Sequence, residues 1–204
     1  ESLQAEAWRQ LAVYLPSLHG FEKLREHNQN VRKASEDVAI RSGGKTRAAT
    51  QQDEQNLYLR SMEAANVFSY AGMVEALRKK VIDPLALFLN LRDFVSEEEE
   101  MQVRIENPDA LTLFGKQYPV TYHHGYAPSI EFGEIEADEN WKYLPGTGIK
   151  LPSGREVVVV VKLGYSSFSA SDIPKLWEQV RKYLNDKQWN MFATMRSSDC
   201  SALP

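Results

Sequence analysis

A single cysteine, Cys200, stands in a chain of 204 residues. One thiol cannot build a disulfide framework or a Cys-based zinc site, and such sparing use fits a reducing compartment. Long apolar runs are missing too. The longest, Val157 to Val161, is strand length and falls far short of the ~20 residues a membrane helix needs. No membrane partner is therefore expected, and the expected location is cytoplasmic or otherwise intracellular. Glu1 opens the chain without Met or a signal-peptide pattern, and Ala-Leu-Pro204 ends it. Both ends read as cut, which makes a fragment of a larger protein the expectation.

An overall basic excess is also lacking. The formal net charge is −4, whereas proteins that coat duplexes are usually basic. The charge is segregated, however. Residues 19–80 carry 11 basic and 8 acidic groups, residues 81–140 carry 3 and 13, and residues 141–204 carry 9 and 5. A local basic face is compatible with that pattern, and so is ordinary solvated charge around an acidic connector.

Catalytic signatures are absent. No serine sits in a Gly-x-Ser-x-Gly elbow. Ser42-Gly-Gly-Lys-Thr46 has half of a phosphate-binding loop, but the pattern needs a glycine where Ala39 stands and a buried strand before it. Residues 35–40 are polar and helix-like, so a flexible interhelical loop is the expectation there. His123 and His124 are neighbours, and consecutive strand residues face opposite ways, so the two imidazoles do not share an ion. Glu131, Glu134 and Glu136 read as solvated surface. The chain is expected to hold no metal and no cofactor and to be noncatalytic by itself.

The first hundred residues have helical periodicity. A short helix is predicted from Ala5 to Leu15, stopped by Pro16. A polar helix follows from Leu18 to Ile40, with Leu18, Phe21, Leu24, Val31 and Val38 as a thin stripe, and a mobile stretch continues to Glu54. One long helix is predicted from Asp53 to Val81. Another is expected to start at Asp83-Pro84, capped by the aspartate, with Leu85, Phe88, Leu91 and Val95 as its buried face. Around Asn107-Pro108 the period changes to alternation. Leu111–Phe114, Tyr118–Tyr122, Ile130–Ile135 and a hairpin from Ile149 to Leu163 read as strands. The β-branched Val157–Val161 run suits a strand covered on both faces. A last amphipathic helix is predicted from Ser171 to Trp189, with Ile173, Leu176, Trp177, Val180 and Leu184 on one side. The fold class is α+β: a helical domain over 1–105, then over 106–204 a small antiparallel β sheet or barrel with a C-terminal packing helix.

The β half carries the suggestive chemistry. Tyr118, Tyr122, Tyr126, Trp141, Tyr143 and Tyr165 are interleaved with Lys116, His123, Lys142, Lys150, Arg155 and Lys162. Rings beside cations on small strands suit single-stranded nucleic acid, since any base can stack and any phosphate can pair, and oligonucleotide-binding barrels use such a platform. Some of these rings must instead face the core. The candidate interface is Lys116, Lys150, Arg155 and Lys162 on phosphates, with Tyr118, Tyr122 and Tyr126 under bases.

From Leu151 onward the chain resembles the C-terminal region of bacterial HrpB-like DEAH-type RNA helicases. The matching residues are Leu151-Pro-Ser-Gly-Arg-Glu-Val157, Ser171-Asp-Ile-Pro-Lys-Leu-Trp177, Val180-Arg-Lys182 and Trp189. The family's proline-rich basic run before its last Trp is missing, and no motor motif is present. The resemblance implies an accessory portion that contacts RNA beside a motor. The expected function is a noncatalytic module that binds single-stranded nucleic acid weakly. The alternative is an interaction or scaffold domain that docks a protein partner through the helices from Asp53 to Val95, with the acidic stretch steering it.

Overall fold

The computed structural model of the protein describes residues 3–134, 140 and 143–184. It has two compact units, Glu1–Met101 and Gln102–Pro204.

The first unit is helical. Helix α1 spans Leu3–Tyr14, α2 Glu22–Arg41, α3 Gln51–Ala65 and α4 Tyr70–Arg78, and short 3-10 turns occupy Leu15–Ser17, Pro84–Leu87 and Leu91–Asp93. The long helix expected over 53–81 is two helices. Asn66 takes a left-handed conformation, φ 55°, at the end of α3, and Ser69 caps α4 by accepting from the Gly72 amide. Helix α4 then ends at Arg78 and Lys80 turns left-handed at φ 57°, so Val81 lies beyond the helix and is exposed. Leu85 is exposed as well, because Asp83-Pro84 opens a 3-10 turn instead of a helix with a continuous face. The stretch expected to be mobile is tied down: the Ala49 amide donates to Ser35 Oγ at 2.8 Å, and Ala49 is buried.

Helix α5, Glu97–Glu106, begins with four glutamates. They sit at the positive end of the helix dipole. Ser96 and Glu99 close a capping box there: the Glu99 amide donates to Ser96 Oγ at 3.1 Å, and the Ser96 amide donates to Glu99 at 2.9 Å. The acidic run is thus a helix start.

The second unit holds strands β1 Ala110–Leu113, β2 Lys116–Thr121, β3 Ser129–Glu134, β4 Ile149–Lys150, β5 Glu156–Leu163 and β6 Ser166–Ala170, then helix α6 Ile173–Arg181. The order is β1-β2-β3-β5-β4, with β6 also on β5. The class is α+β as expected, and the curled sheet is mixed where an antiparallel one was predicted. The chain crosses over between β3 and β5, which leaves those two strands parallel, with Ser129 opposite Val158 and Ile130 opposite Val159. Phe114 and Gly115 both take positive φ, 53° and 75°, in the two-residue turn between β1 and β2. That is the twist-matched turn of tight hairpins. Gly148 is required for a different reason: at its φ of 78° a Cβ would run into the Ser171 carbonyl oxygen.

Val157, Val159 and Val161 are fully buried, while Val158 and Val160 are half-buried on the other face. The strand is therefore covered fully on one side only. Helix α6 closes that side with Ile173, Leu176, Trp177 and Val180. The Asp172 carboxylate caps it by accepting from the Lys175 amide at 3.1 Å. The predicted extension of this helix to Trp189 passes, after Leu184, outside the described residues, as do Ile135, Glu136, Trp141, Lys142 and Cys200.

Two expectations follow. Trp177→Ala should lower stability by about 3–5 kcal/mol through loss of a buried ring, read as the shift in denaturant midpoint; Tyr183→Ala, at an exposed ring, should cost far less. Asp53 gives a pH effect. Burial alone would raise its pKa, but hydrogen bonds from the Thr50 hydroxyl and amide and from Arg47 outweigh burial and hold the carboxyl below its usual value. A depressed folded-state pKa contributes stability above the unfolded value of about 3.9, and that contribution is lost as pH falls through the folded value. The stability gap between wild type and Asp53→Asn should therefore be constant near neutrality and shrink below roughly pH 4.

Candidate nucleic-acid interface

Strand alternation decides which of the predicted residues can meet a ligand. On β2 the even positions Tyr118 and Val120 point into the core. Tyr118 is 2% exposed, its ring lies 4.3 Å from that of Phe132, and its hydroxyl accepts from Asn140 at 3.0 Å. No base can stack on it, so its predicted role is withdrawn. Lys116 is exposed and lies over the edge of this core, its Nζ 5.2 Å from the Tyr118 ring centroid, a cation–π contact. Tyr122 is half-buried against the same core, and its hydroxyl donates to the Pro108 carbonyl at 2.8 Å. Only Tyr126, at 77% exposure, presents an open ring among the three predicted tyrosines.

The cations are divided between the two ends of the sheet. The β1–β2 turn and the β5–β6 turn lie at one end, because β2 is antiparallel to β3 and β5 is parallel to it. Lys116 and Lys162 belong to that end, with Phe114 and Tyr165. Lys162 is half-exposed and pairs with Glu131 at 2.5 Å, so part of its charge is already answered. At the opposite end lie the β2–β3 loop and the β4–β5 turn. Lys150, opposite Glu156 in the ladder, is there, together with Arg155 and Tyr126. Tyr126 and Arg155 stand in equivalent places: each precedes by three residues its member of the first parallel pair, Ser129 opposite Val158. The predicted set is thus two groups, of which Tyr126, Lys150 and Arg155 form one.

That end is well built. Gly125 turns the β2–β3 loop at φ 74°. The His123 ring meets Ser129 Oγ at 3.2 Å. The Pro128 carbonyl accepts from the Val158 amide at 2.8 Å and stitches the loop to β5. The β4–β5 turn is held to the end of α5: the Ser153 amide donates to the Glu106 carbonyl at 2.9 Å, and its hydroxyl donates to the buried Asn107 at 2.9 Å.

The remaining motifs are occupied locally. Ser42 Oγ accepts from the Lys45 and Thr46 amides at 3.1 and 3.2 Å and donates to the Ala39 carbonyl. The loop hydrogen-bonds to itself and does not form a phosphate cradle. Glu134 accepts from the Gly164 amide at 3.1 Å. Among the described residues there is no cluster of three metal-ligating side chains, and no helix is long and apolar enough to cross a membrane.

Sequence reasoning missed a buried polar network in the helical unit. Asn28 Nδ2 donates to the Tyr58 hydroxyl at 2.7 Å and to the Leu87 carbonyl at 3.1 Å, and Asn28 Oδ1 accepts from the Leu89 amide at 2.8 Å. Tyr58 donates to Glu54 Oε1 at 2.5 Å, and Arg32 Nε stands 3.4 Å from Glu54 Oε2. Burial first, and then the Glu54 carboxylate it donates to, drive the Tyr58 hydroxyl pKa far above its usual value. The signal was available in α2: the stripe Leu24, Val31, Val38 has gaps at 28 and 35, and both gaps are buried polar residues, Asn28 and Ser35.

No family model and no curated protein matches the chain. Among solved structures it is similar to the E. coli DExH-box NTPase HrpB, at 16% identity and a TM-score of 0.35, over 90% of this chain and 19% of that one. The chain thus spans under a fifth of that protein's length.

Because Tyr118 is core and Tyr126 is not, their alanine variants should behave oppositely. Tyr118→Ala should destabilise the β unit by about 3–5 kcal/mol, and Tyr126→Ala by under about 0.5 kcal/mol, measured by chemical denaturation.

Proposed function

We propose that the β unit is a noncatalytic module that binds single-stranded nucleic acid through the end of the sheet carrying Tyr126, Lys150 and Arg155. The observation that carries this reading is that an exposed ring, Tyr126, and two cations, Lys150 and Arg155, belong to the same end of the sheet, where the parallel strands β3 and β5 begin. The curled mixed sheet supports it, since small, partly open β-barrels serve as oligonucleotide-binding scaffolds. The resemblance of residues 151–182 to the C-terminal region of HrpB-like RNA helicases supports an accessory role beside a motor. Binding is weak, because one open ring and two or three cations on a chain of net charge −4 supply few of the contacts that hold a strand. The protein-docking alternative rests on Val81 and Leu85, exposed at 61% and 75%, the former lining a shallow cleft with Ala64 and Ala86.

Fluorescence anisotropy with labelled single-stranded RNA and DNA at two salt concentrations separates the readings. Arg155→Ala should weaken binding evenly across sequences and reduce the salt slope by about 1. Tyr126→Ala should cost roughly 1–3 kcal/mol with little change in slope. A folded protein that binds neither nucleic acid at low salt would sink the proposal and leave the docking reading.

A further inference from the structure

The helical unit contains a cleft of about 250 Å³ between α2 and α3. Arg25 and Arg32, seven residues apart on α2, face Gln51 and Gln55, one turn apart on α3, and Ala12, Val13 and Pro16 supply an apolar side. We infer that this cleft is a binding site for a small phosphomonoester, a terminal phosphate on a short aliphatic body.

Charge supports an anion. The buried Glu54 carboxylate at the base of the cleft is already engaged: Oε1 accepts from Tyr58 and Asn28, and Oε2 faces Arg32 Nε. Arg32 balances Glu54, and Arg25 is then an excess positive charge at the mouth. Donor supply supports a phosphate. Among the described residues, no protein group accepts from the Arg25 guanidinium, from the terminal nitrogens of Arg32 or from the side-chain amides of Gln51 and Gln55. A guanidinium carries five N–H donors and an amide two, while a carboxylate offers about four lone-pair positions. Two guanidiniums and two amides exceed what the two oxygens of a carboxylate can accept, and the three terminal oxygens of a phosphate take up more of them. Glu54, fixed by Tyr58 and Asn28, attracts the Arg32 guanidinium by charge at 3.4 Å without a hydrogen bond, which leaves the Arg32 donors available to a ligand. Size limits the rest of the ligand: about 250 Å³ is below the ~300–1,000 Å³ of sites for drug-sized ligands, which leaves room for a few carbons against Ala12 and Pro16.

The test titrates the full chain with glycerol 3-phosphate, dimethyl phosphate and chloride at matched ionic strength. It follows the side-chain amide signals of Gln51 and Gln55 by NMR, with thermal midpoints alongside. The monoester should shift both amides saturably, and dimethyl phosphate should bind at least tenfold more weakly. Arg25→Gln should weaken the monoester at least tenfold without lowering the ligand-free midpoint, since Arg25 is exposed. Arg60→Gln, which removes an equal charge from an exposed position outside the cleft, should leave affinity unchanged. An equal loss in both variants, a response no greater than that to chloride, or equal binding of the diester would each overturn the inference.

Discussion

Strand β5 is the constraint on which the second unit depends. It pairs with β3 along one edge and with β4 and then β6 along the other, and its three buried valines form the centre of the core that α6 covers. A run of β-branched residues is stiff at χ1 and resists helix, so this segment has one good conformation, and its neighbours assemble around it. Because side chains alternate with a period of two, the register of β5 also settles that of β3, β4 and β6. A slip of one residue would turn Val157, Val159 and Val161 outward and carry Lys162 into the core, where its charge would lack water.

In the helical unit the comparable constraint is polar. Asn28 bonds to α3 through Tyr58 and Glu54 and to the backbone at Leu87 and Leu89, four contacts from one fully buried side chain. Apolar packing tolerates many arrangements of similar volume, but a buried amide is satisfied only in one. Removing it would strand donors and acceptors at a cost of about 1–3 kcal/mol each. The same network places Glu54 beneath the Arg25–Arg32 cleft, so a device that fixes helix packing also pre-arranges a cationic pocket.

What was legible in the sequence followed from strong periodicity. The valine run, the β1–β2 hairpin and the Trp177 face of α6 were readable because alternation or helical spacing, turn residues and capping residues agreed. What was missed had weaker or conflicting signals. Strand β6, Ser-Ser-Phe-Ser-Ala, has one large apolar residue, Phe168, and is specified by its partner and by the two-residue turn at Gly164-Tyr165. The break at Asn66 was hidden because apolar residues on both sides of it kept near-helical spacing. At the interface, the tyrosines were readable as a group but not by face: Tyr118 and Tyr122 share a parity, and only the observation that Val120 is core shows that this parity points inward. The division of the cations between two ends required the parallel β3–β5 pair, which local sequence does not encode.

That division changes what kind of nucleic-acid contact is physically reasonable. A flat aromatic face would hold several bases in a row and give an extended site with a steep dependence on strand length. Here the outward positions of the central strands include Gln117, Pro119, Thr121, Ser129, Glu131, Glu156, Val158, Val160 and Lys162, with no aromatic ring among them and a carboxylate near the middle. A strand laid across that surface would meet repulsion from Glu131 unless Lys162 continued to answer it, and Lys162 cannot answer a phosphate at the same time without leaving its partner exposed. On the proposed reading, contacts would be confined to the loop end, where Tyr126, Arg155 and Lys150 lie on turns tied to β5 and to the end of α5. A site of that size suits one or two nucleotides. If the proposed reading holds, tethering to a larger assembly would raise so weak a contact to an intramolecular one at millimolar effective concentration.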